Sequence, residues 1–168
     1  MKITETNRLS LRWVEESDAG FILTLLNEPG WLQYIGDKGV HTLEDANLYI
    51  LNGPRAMYAQ KGFGLFLAER KLDHTPIGLC GLIKRDGLED VDIGFAFLSA
   101  YQTQGYAYEA ACATVEFAKE SGIKRLVAIT SKDNEPSSKL LEKLGMTSDG
   151  YVTLPNDTEE LKKYGLKI

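Results

Sequence analysis

Metal-ligating residues are scarce in this sequence: two cysteines, Cys80 and Cys112, and two histidines, His41 and His74, are scattered over 168 residues without ligand spacing. No metal site is therefore expected, and neither histidine stands in a recognisable catalytic setting. No apolar run is long enough to span a bilayer, and the start does not follow the basic, apolar, small-residue order of a signal peptide. These absences lead us to expect no membrane partner, a cytoplasmic location and two reduced thiols used for packing. An excess of basic charge is missing too. Nineteen Lys and Arg against 24 Asp and Glu leave a net charge of −5, which excludes a sequence-independent nucleic-acid binder. A basic acceptor such as a protein tail or polyamine is permitted, not required. Gly62-x-Gly64 has no third glycine and opens a strand, and no Gly-Lys-Ser/Thr step exists, so neither nucleotide fingerprint is present. Linkers, repeats and low-complexity stretches are also lacking, and residues 1–168 read as a single domain that buries roughly 70% of its unfolded surface.

What is present has a clear order. Residues 6–13 alternate apolar and polar and predict a first strand. Ser17-Asp18 caps a predicted helix to about Asn27, which Pro29-Gly30 breaks, leaving a loop to Val40. Thr42 with Asp45 opens a second helix through about Lys61, kinked or divided at Gly53-Pro54. Strands follow at 63–70, 76–85 and 91–98, joined by short polar turns into an antiparallel meander. A helix from Gly105 to about Ser121, a strand at 124–130 and a helix from Asn134 to Leu144 come next. The crossover from 91–98 to 124–130 is long enough to make those strands parallel. Two β segments, 146–154 and 161–168, close the chain. The order predicts an α+β fold: a mixed, mostly antiparallel sheet with helices on both faces.

Between strand 91–98 and its helix lies Gln102-Thr103-Gln104-Gly105-Tyr106-Ala107. A glycine-bearing loop that opens a helix leaves several backbone N–H groups unpaired at the positive end of the helix dipole. Such a pocket suits a phosphate or pyrophosphate, with Gly105 letting the backbone approach closely. From these six residues alone an ordinary strand-to-helix turn reads equally well.

Residue order and motif together reach a known family. The chain resembles the GNAT superfamily of acyl-CoA-dependent N-acetyltransferases, and within it the branch of ribosomal-protein N-terminal acetyltransferases. Thr6-x-Arg8-Leu9-x-Leu11-Arg12, with Asp18 following, is similar to that branch's opening. Gln102-x-x-Gly105-x-Ala107 resembles the superfamily's pyrophosphate loop. Asn134-x-x-Ser137, running on to Glu142-Lys143-Leu144-Gly145-Met146, resembles the family's Asn-x-x-Ser…Glu-Lys-x-Gly-Phe segment.

The resemblance implies a sheet splayed into a V where strand 91–98 parts from strand 124–130, with acetyl-CoA as acetyl donor lying in it. Pantetheine would pair like an added strand with the backbone near Phe97 and Leu98. The diphosphate would rest on the loop, with Gln102, Gln104, Gly105, Tyr106, Ala107 and Tyr108 as its binding residues. Asn134 would hydrogen-bond the cofactor arm; it also reads as a helix cap, and the two roles are compatible. Ser137 would lie near the sulfur; Ser138 competes on spacing alone, but the family register favours Ser137 and makes its neighbour solvent-facing.

The reaction implied needs a neutral amine. Deprotonation at pH 7 costs roughly 1 kcal/mol for a protein α-amine and about 4.6 kcal/mol for a lysine. Asp92 stands where the branch often has Glu, and a general base or a polar strand residue are equally good readings of it. In the loop before the second helix, Tyr34 and Asp37 read either as part of a surface turn that needs its two glycines or as the acceptor wall, Tyr34 packing on substrate and Asp37 drawing an ammonium. Glu109 reads as a complement to the helix dipole. The expected protein is thus an acetyl-CoA-dependent N-acetyltransferase for a small-molecule or peptide amine, monomeric or homodimeric. The alternative is a non-catalytic acyl-CoA-binding module.

Overall fold

The computed structural model describes residues Met1–Ile168. Its elements are β1 (Lys2–Glu5), β2 (Leu9–Arg12), α1 (Ala19–Leu26), α2 (Pro29–Tyr34), α3 (Leu43–Asn52), α4 (Pro54–Lys61), β3 (Leu65–Arg70), β4 (Pro76–Ile83), β5 (Val91–Phe97), α5 (Tyr106–Glu120), β6 (Arg125–Thr130), α6 (Glu135–Lys143), β7 (Thr147–Val152) and β8 (Leu161–Lys167). The strands form one eight-stranded sheet in the order β1-β2-β3-β4-β5-β6-β8-β7. Every neighbouring pair is antiparallel except β5 with β6. That exception is the crossover through α5, as the sequence predicts.

Side chains alternate between two buried layers. Phe66 and Ala68 of β3, Cys80 and Leu82 of β4, and Ile93 and Phe97 of β5 pack with Ala110, Ala111 and Ala118 of α5. On the opposite face Leu67 and Leu79 pack with Ile22, Leu25, Trp31, Ala46 and Ile50 from the first three helices. Small residues along α5 let it lie close to the sheet, and each large buried side chain opposite contributes about 1.5–3 kcal/mol.

Several predicted boundaries need correction. The first strand is a hairpin: residues 6–8 turn rather than extend, because the Thr6 hydroxyl accepts the Leu9 N–H at 3.0 Å and the Thr6 N–H donates to the Leu9 carbonyl. This leaves room for β1, which sequence reading missed. Asp18 does not cap α1 with its side chain; a single 3₁₀ turn precedes the helix, and the carboxylate receives Arg12 at 2.9 Å and the Glu15 N–H at 2.8 Å. The expected loop at 29–40 begins with α2, since Pro29 sits in the helix's first turn, where its missing N–H is harmless. The division expected at Gly53-Pro54 is present: α3 ends and α4 begins there, and a Cβ on Gly53 would stand 2.8 Å from the Tyr49 carbonyl oxygen.

Candidate functional site

Strands β5 and β6 touch in register only at Val91↔Leu126 and Asp92↔Val127. Past Asp92 they part, while β5 stays paired with β4 to its end. The sheet therefore opens into a V whose vertex is Asp92. The N–H of Leu98 donates to the Ile77 carbonyl of β4. Because peptide groups alternate sides along a strand, those of Phe95 and Phe97 face the opening instead. The Phe97 carbonyl is bonded by the Gln102 side chain at 2.9 Å. Of the two positions expected to pair with a cofactor arm, the opening thus receives the Phe97 amide, whereas that of Leu98 belongs to the sheet.

The loop after β5 coils through a 3₁₀ turn at Ser99–Tyr101 and enters α5 with Thr103 at φ 62° and Gly105 at φ 83°. Two left-handed residues this close turn successive N–H groups inward. The first helical bond runs from the Glu109 N–H to the Gly105 carbonyl. The N–H groups of Thr103, Gln104, Gly105, Tyr106, Ala107 and Tyr108 have no acceptor in the protein, and α5 has no side-chain cap. Gln104 binds the Ala100 carbonyl at 3.0 Å and shapes the turn, while the buried Tyr106 ring packs edge-on against Tyr101.

Arg8 and Glu109 brace this loop. Arg8 donates to the Gln104 carbonyl at 3.1 Å and lies 4.2 Å over the Tyr106 ring. Glu109 accepts from the Thr6 hydroxyl, the Arg8 N–H and Arg8 Nε. Partial burial opposes its charge, but these donors hold its pKa below the ordinary value. A crevice of about 630 Å³ opens alongside, lined by Arg8, Gly105, Tyr108 and Glu109 among others.

Across the V, Asn134 caps α6 by accepting the Ser137 N–H at 3.3 Å. Ser137 is half-buried. Ser138, expected to face solvent, is instead buried with an unpartnered hydroxyl, because it shares the inner stripe of α6 with Leu141. Lys143 of α6 sits 4.2 Å over the Tyr108 ring and ties the two helices together.

Helix α2 spans the mouth of the V. Glu28 accepts the Ser99 N–H at 2.7 Å beyond the end of β5, and the Ser131 hydroxyl donates to the Tyr34 carbonyl at 3.1 Å beyond the end of β6. Neither Glu28 nor Ser131 was legible as a site residue, since each acts on a partner far along the chain. Tyr34 is half-buried at this bridge. Asp37 lies on the exposed loop beyond it, where its carboxylate accepts the Gly39 N–H at 2.8 Å and meets His41 at 3.0 Å. Those two hydrogen bonds lower its pKa, and the structure does not bring it to the vertex.

At the vertex Asp92 is 1% exposed. One oxygen takes Arg85 Nε at 2.5 Å and the other, Oδ1, has no partner. Burial pushes its pKa up to about 6, against the opposing pull of Arg85. Tyr49 of α3 is half-buried close enough to feel the same cation, which partly offsets the rise that burial causes in its phenol. Cys80 lies in the core against Thr114 with its thiol pushed up to about 12 by burial, so it is no nucleophile at neutral pH.

Residues 8–147 match the family model described as acetyltransferase (GNAT) domain. The uncharacterized N-acetyltransferase YnaD of Bacillus subtilis (strain 168) is 33% identical over 167 residues, covering 98% of this chain and 94% of that one. Among solved structures, an acetyltransferase of the GNAT family from Bacillus anthracis superposes with TM-score 0.80 at 27% identity, covering 99% of this chain and 98% of that chain. RimL, a ribosomal alpha-N-protein acetyltransferase solved with coenzyme A, shares the fold at TM-score 0.83 and 20% identity, covering 100% of this chain and 98% of that chain.

Proposed function

The chain belongs to the GNAT acetyltransferase family, and on that premise we propose that it moves an acetyl group from acetyl-CoA to a primary amine by direct attack in a ternary complex. The observation that carries the proposal is the run of unpartnered N–H groups from Thr103 to Tyr108 beside an open sheet edge. Unpaired amides converging at a helix start sit at the positive end of its dipole, and this many in sequence suit a diphosphate. Gln102, Gln104, Gly105, Tyr106, Ala107 and Tyr108 would hold that group. The Phe97 amide would pair with the pantetheine arm, with Leu98 as its neighbour in the sheet, and Asn134 would bind the arm from α6.

Acetyl-CoA, the donor substrate, supplies an activated thioester carbonyl. Asp92 takes a proton from the incoming ammonium, directly or through one water; a carboxylate titrating at about 6 is mostly ionised at pH 7 and still basic enough for the task. The acceptor nitrogen bonds the acetyl carbon as the carbon–sulfur bond breaks. Its second proton passes by way of the Ser137 hydroxyl to the departing sulfur. Tyr34 forms the acceptor wall beneath the α2 bridge, and Asp37 adds negative charge at its outer rim.

Calorimetry with acetyl-CoA and a thiol-release assay over a panel of amines test this. Micromolar binding and CoA release with at least one amine are expected. Absence of binding overturns the proposal, and binding without release on any amine favours a non-catalytic acyl-CoA-binding module.

A further inference from the structure

The face of β5 that carries Asp92 also carries Gly94, Ala96 and Leu98, and it looks toward α1–α3, the side proposed for the acceptor. Three features meet there. Asp92 is buried and one of its oxygens is unpartnered. Arg85 spends only Nε on Asp92, leaving the Nη edge of its guanidinium, on a side chain 34% exposed, without a partner. Next to Asp92, Gly94 leaves a gap, where a Cβ would touch Ile83 Cδ1 at 3.4 Å and Leu65 Cδ2 at 3.6 Å. A free acceptor oxygen and a free donor fork thus belong to one ion pair, beside an apolar wall.

We infer, resting on the acetyltransferase reading, that the acceptor is a free α-amino acid, its ammonium on Asp92 Oδ1 and its carboxylate on the Nη edge of Arg85. An ammonium and a carboxylate on one carbon form a short zwitterion that lies antiparallel to the Arg85–Asp92 pair, each charge against its opposite. Guanidinium and carboxylate are matched for two parallel hydrogen bonds. A polyamine or a lysine side chain brings a cation to Arg85 with no anion to meet it. The pairing also serves the chemistry. A carboxylate beside an amine keeps that amine protonated; once the carboxylate is neutralised by Arg85, the ammonium yields its proton to Asp92 more readily. Tyr49 of α3 is half-buried near the same cation.

The experiment compares thiol release by the full chain with the common L-amino acids and with their methyl esters at pH 7. At least one free amino acid is expected to show kcat/KM about 10–100-fold above its ester, the range of a charge-assisted hydrogen bond. This preference runs against intrinsic reactivity, because the ester's amine is the less protonated. Arg85→Gln should collapse the ratio toward one, and Arg85→Lys should restore part of it. Esters or peptide N-termini that react as well as free acids, turnover confined to polyamines, or no turnover with any amino acid each overturn the inference. The wild-type comparison decides even if the variants do not fold. Failure of the parent reading is distinct: it is the loss of acetyl-CoA binding itself.

Discussion

The Glu109 carboxylate accepts the backbone N–H of Arg8 at 2.9 Å and its Nε at 2.8 Å, fastening the β1–β2 turn to the first turn of α5. The glycine loop lies directly under that clasp. Arg8 reaches past Glu109 to the Gln104 carbonyl, and its Nη2 stands 3.3 Å from where a Cβ on Gly105 would be. A residue expected to complement a helix dipole instead anchors Arg8, a hundred residues away in sequence, over the neighbouring loop.

Removing the clasp should therefore weaken both fold and cofactor site. Glu109→Ala leaves Arg8 and Thr6 without their acceptor, and a loss of about 1–3 kcal/mol is expected. Acetyl-CoA affinity should fall several-fold as the loop loosens. The pH dependence has a definite sign. A carboxylate with a lowered folded pKa adds stability that is present above its unfolded value and disappears as pH falls through the folded one. Chemical denaturation of wild type and Glu109→Gln should then differ most above pH 5 and converge in acid. A constant difference across that range would show that the charge of Glu109 is irrelevant.

Gly105→Val tests the loop itself. At φ 83° a branched side chain is strained by about 1–3 kcal/mol, and its Cβ presses on Arg8 as well. The variant should remain folded, judged by its melting transition, while the dissociation constant for acetyl-CoA rises at least tenfold. An unchanged constant in a folded variant would remove the loop from the binding site.

Much of this was readable from residues alone, for reasons that differ by element. The meander of β3, β4 and β5 and the crossover through α5 follow from apolar periodicity and connection length, both local properties. Gly105 and Asn134 were legible because a turn and a cap demand particular residue types. Other features depend on distant partners. Glu28 with Ser99 and Ser131 with Tyr34 are hydrogen bonds that only the folded chain brings together. Asp18 misled as a helix cap because Arg12, on the neighbouring strand, competes for its carboxylate. Ser138 misled because two adjacent serines look alike until the helix is rotated onto its core.

Asp92→Asn should separate catalysis from folding. The wild-type profile of kcat/KM against pH is expected to fall on its acid side with a midpoint at about 6. The variant should lose that limb along with about 10²–10⁴ of its rate. Stability should move the other way. A carboxyl whose folded pKa is raised contributes stability that is complete below its unfolded value near 4 and is lost as pH rises through about 6. Asparagine resembles the protonated form at every pH. The melting temperature of Asp92→Asn relative to wild type should therefore increase between pH 4 and pH 7. An acid limb that survives in the variant would assign proton removal to another group.

The two serines of α6 offer the sharpest contrast, because they differ by one position and by opposite surroundings. Ser137 is half-buried beside the cap formed by Asn134, and the proposed mechanism gives its hydroxyl the proton for the leaving sulfur. Ser138 points into the core, and its hydroxyl has no partner. An unpartnered buried hydroxyl carries its desolvation penalty without a compensating bond, so replacing it with hydrogen leaves stability unchanged or improves it by up to about 1 kcal/mol. Ser138→Ala should thus melt at or above the wild-type temperature with kcat unaltered. Ser137→Ala should melt near wild type, yet lose about tenfold or more in kcat if its hydroxyl protonates the leaving sulfur. Rescue should then follow leaving-group chemistry: a thioester whose thiol has a lower pKa needs less protonation, and the gap between Ser137→Ala and wild type should narrow with it. A gap that does not narrow, or a loss in Ser138→Ala equal to that in Ser137→Ala, would take the proton from Ser137.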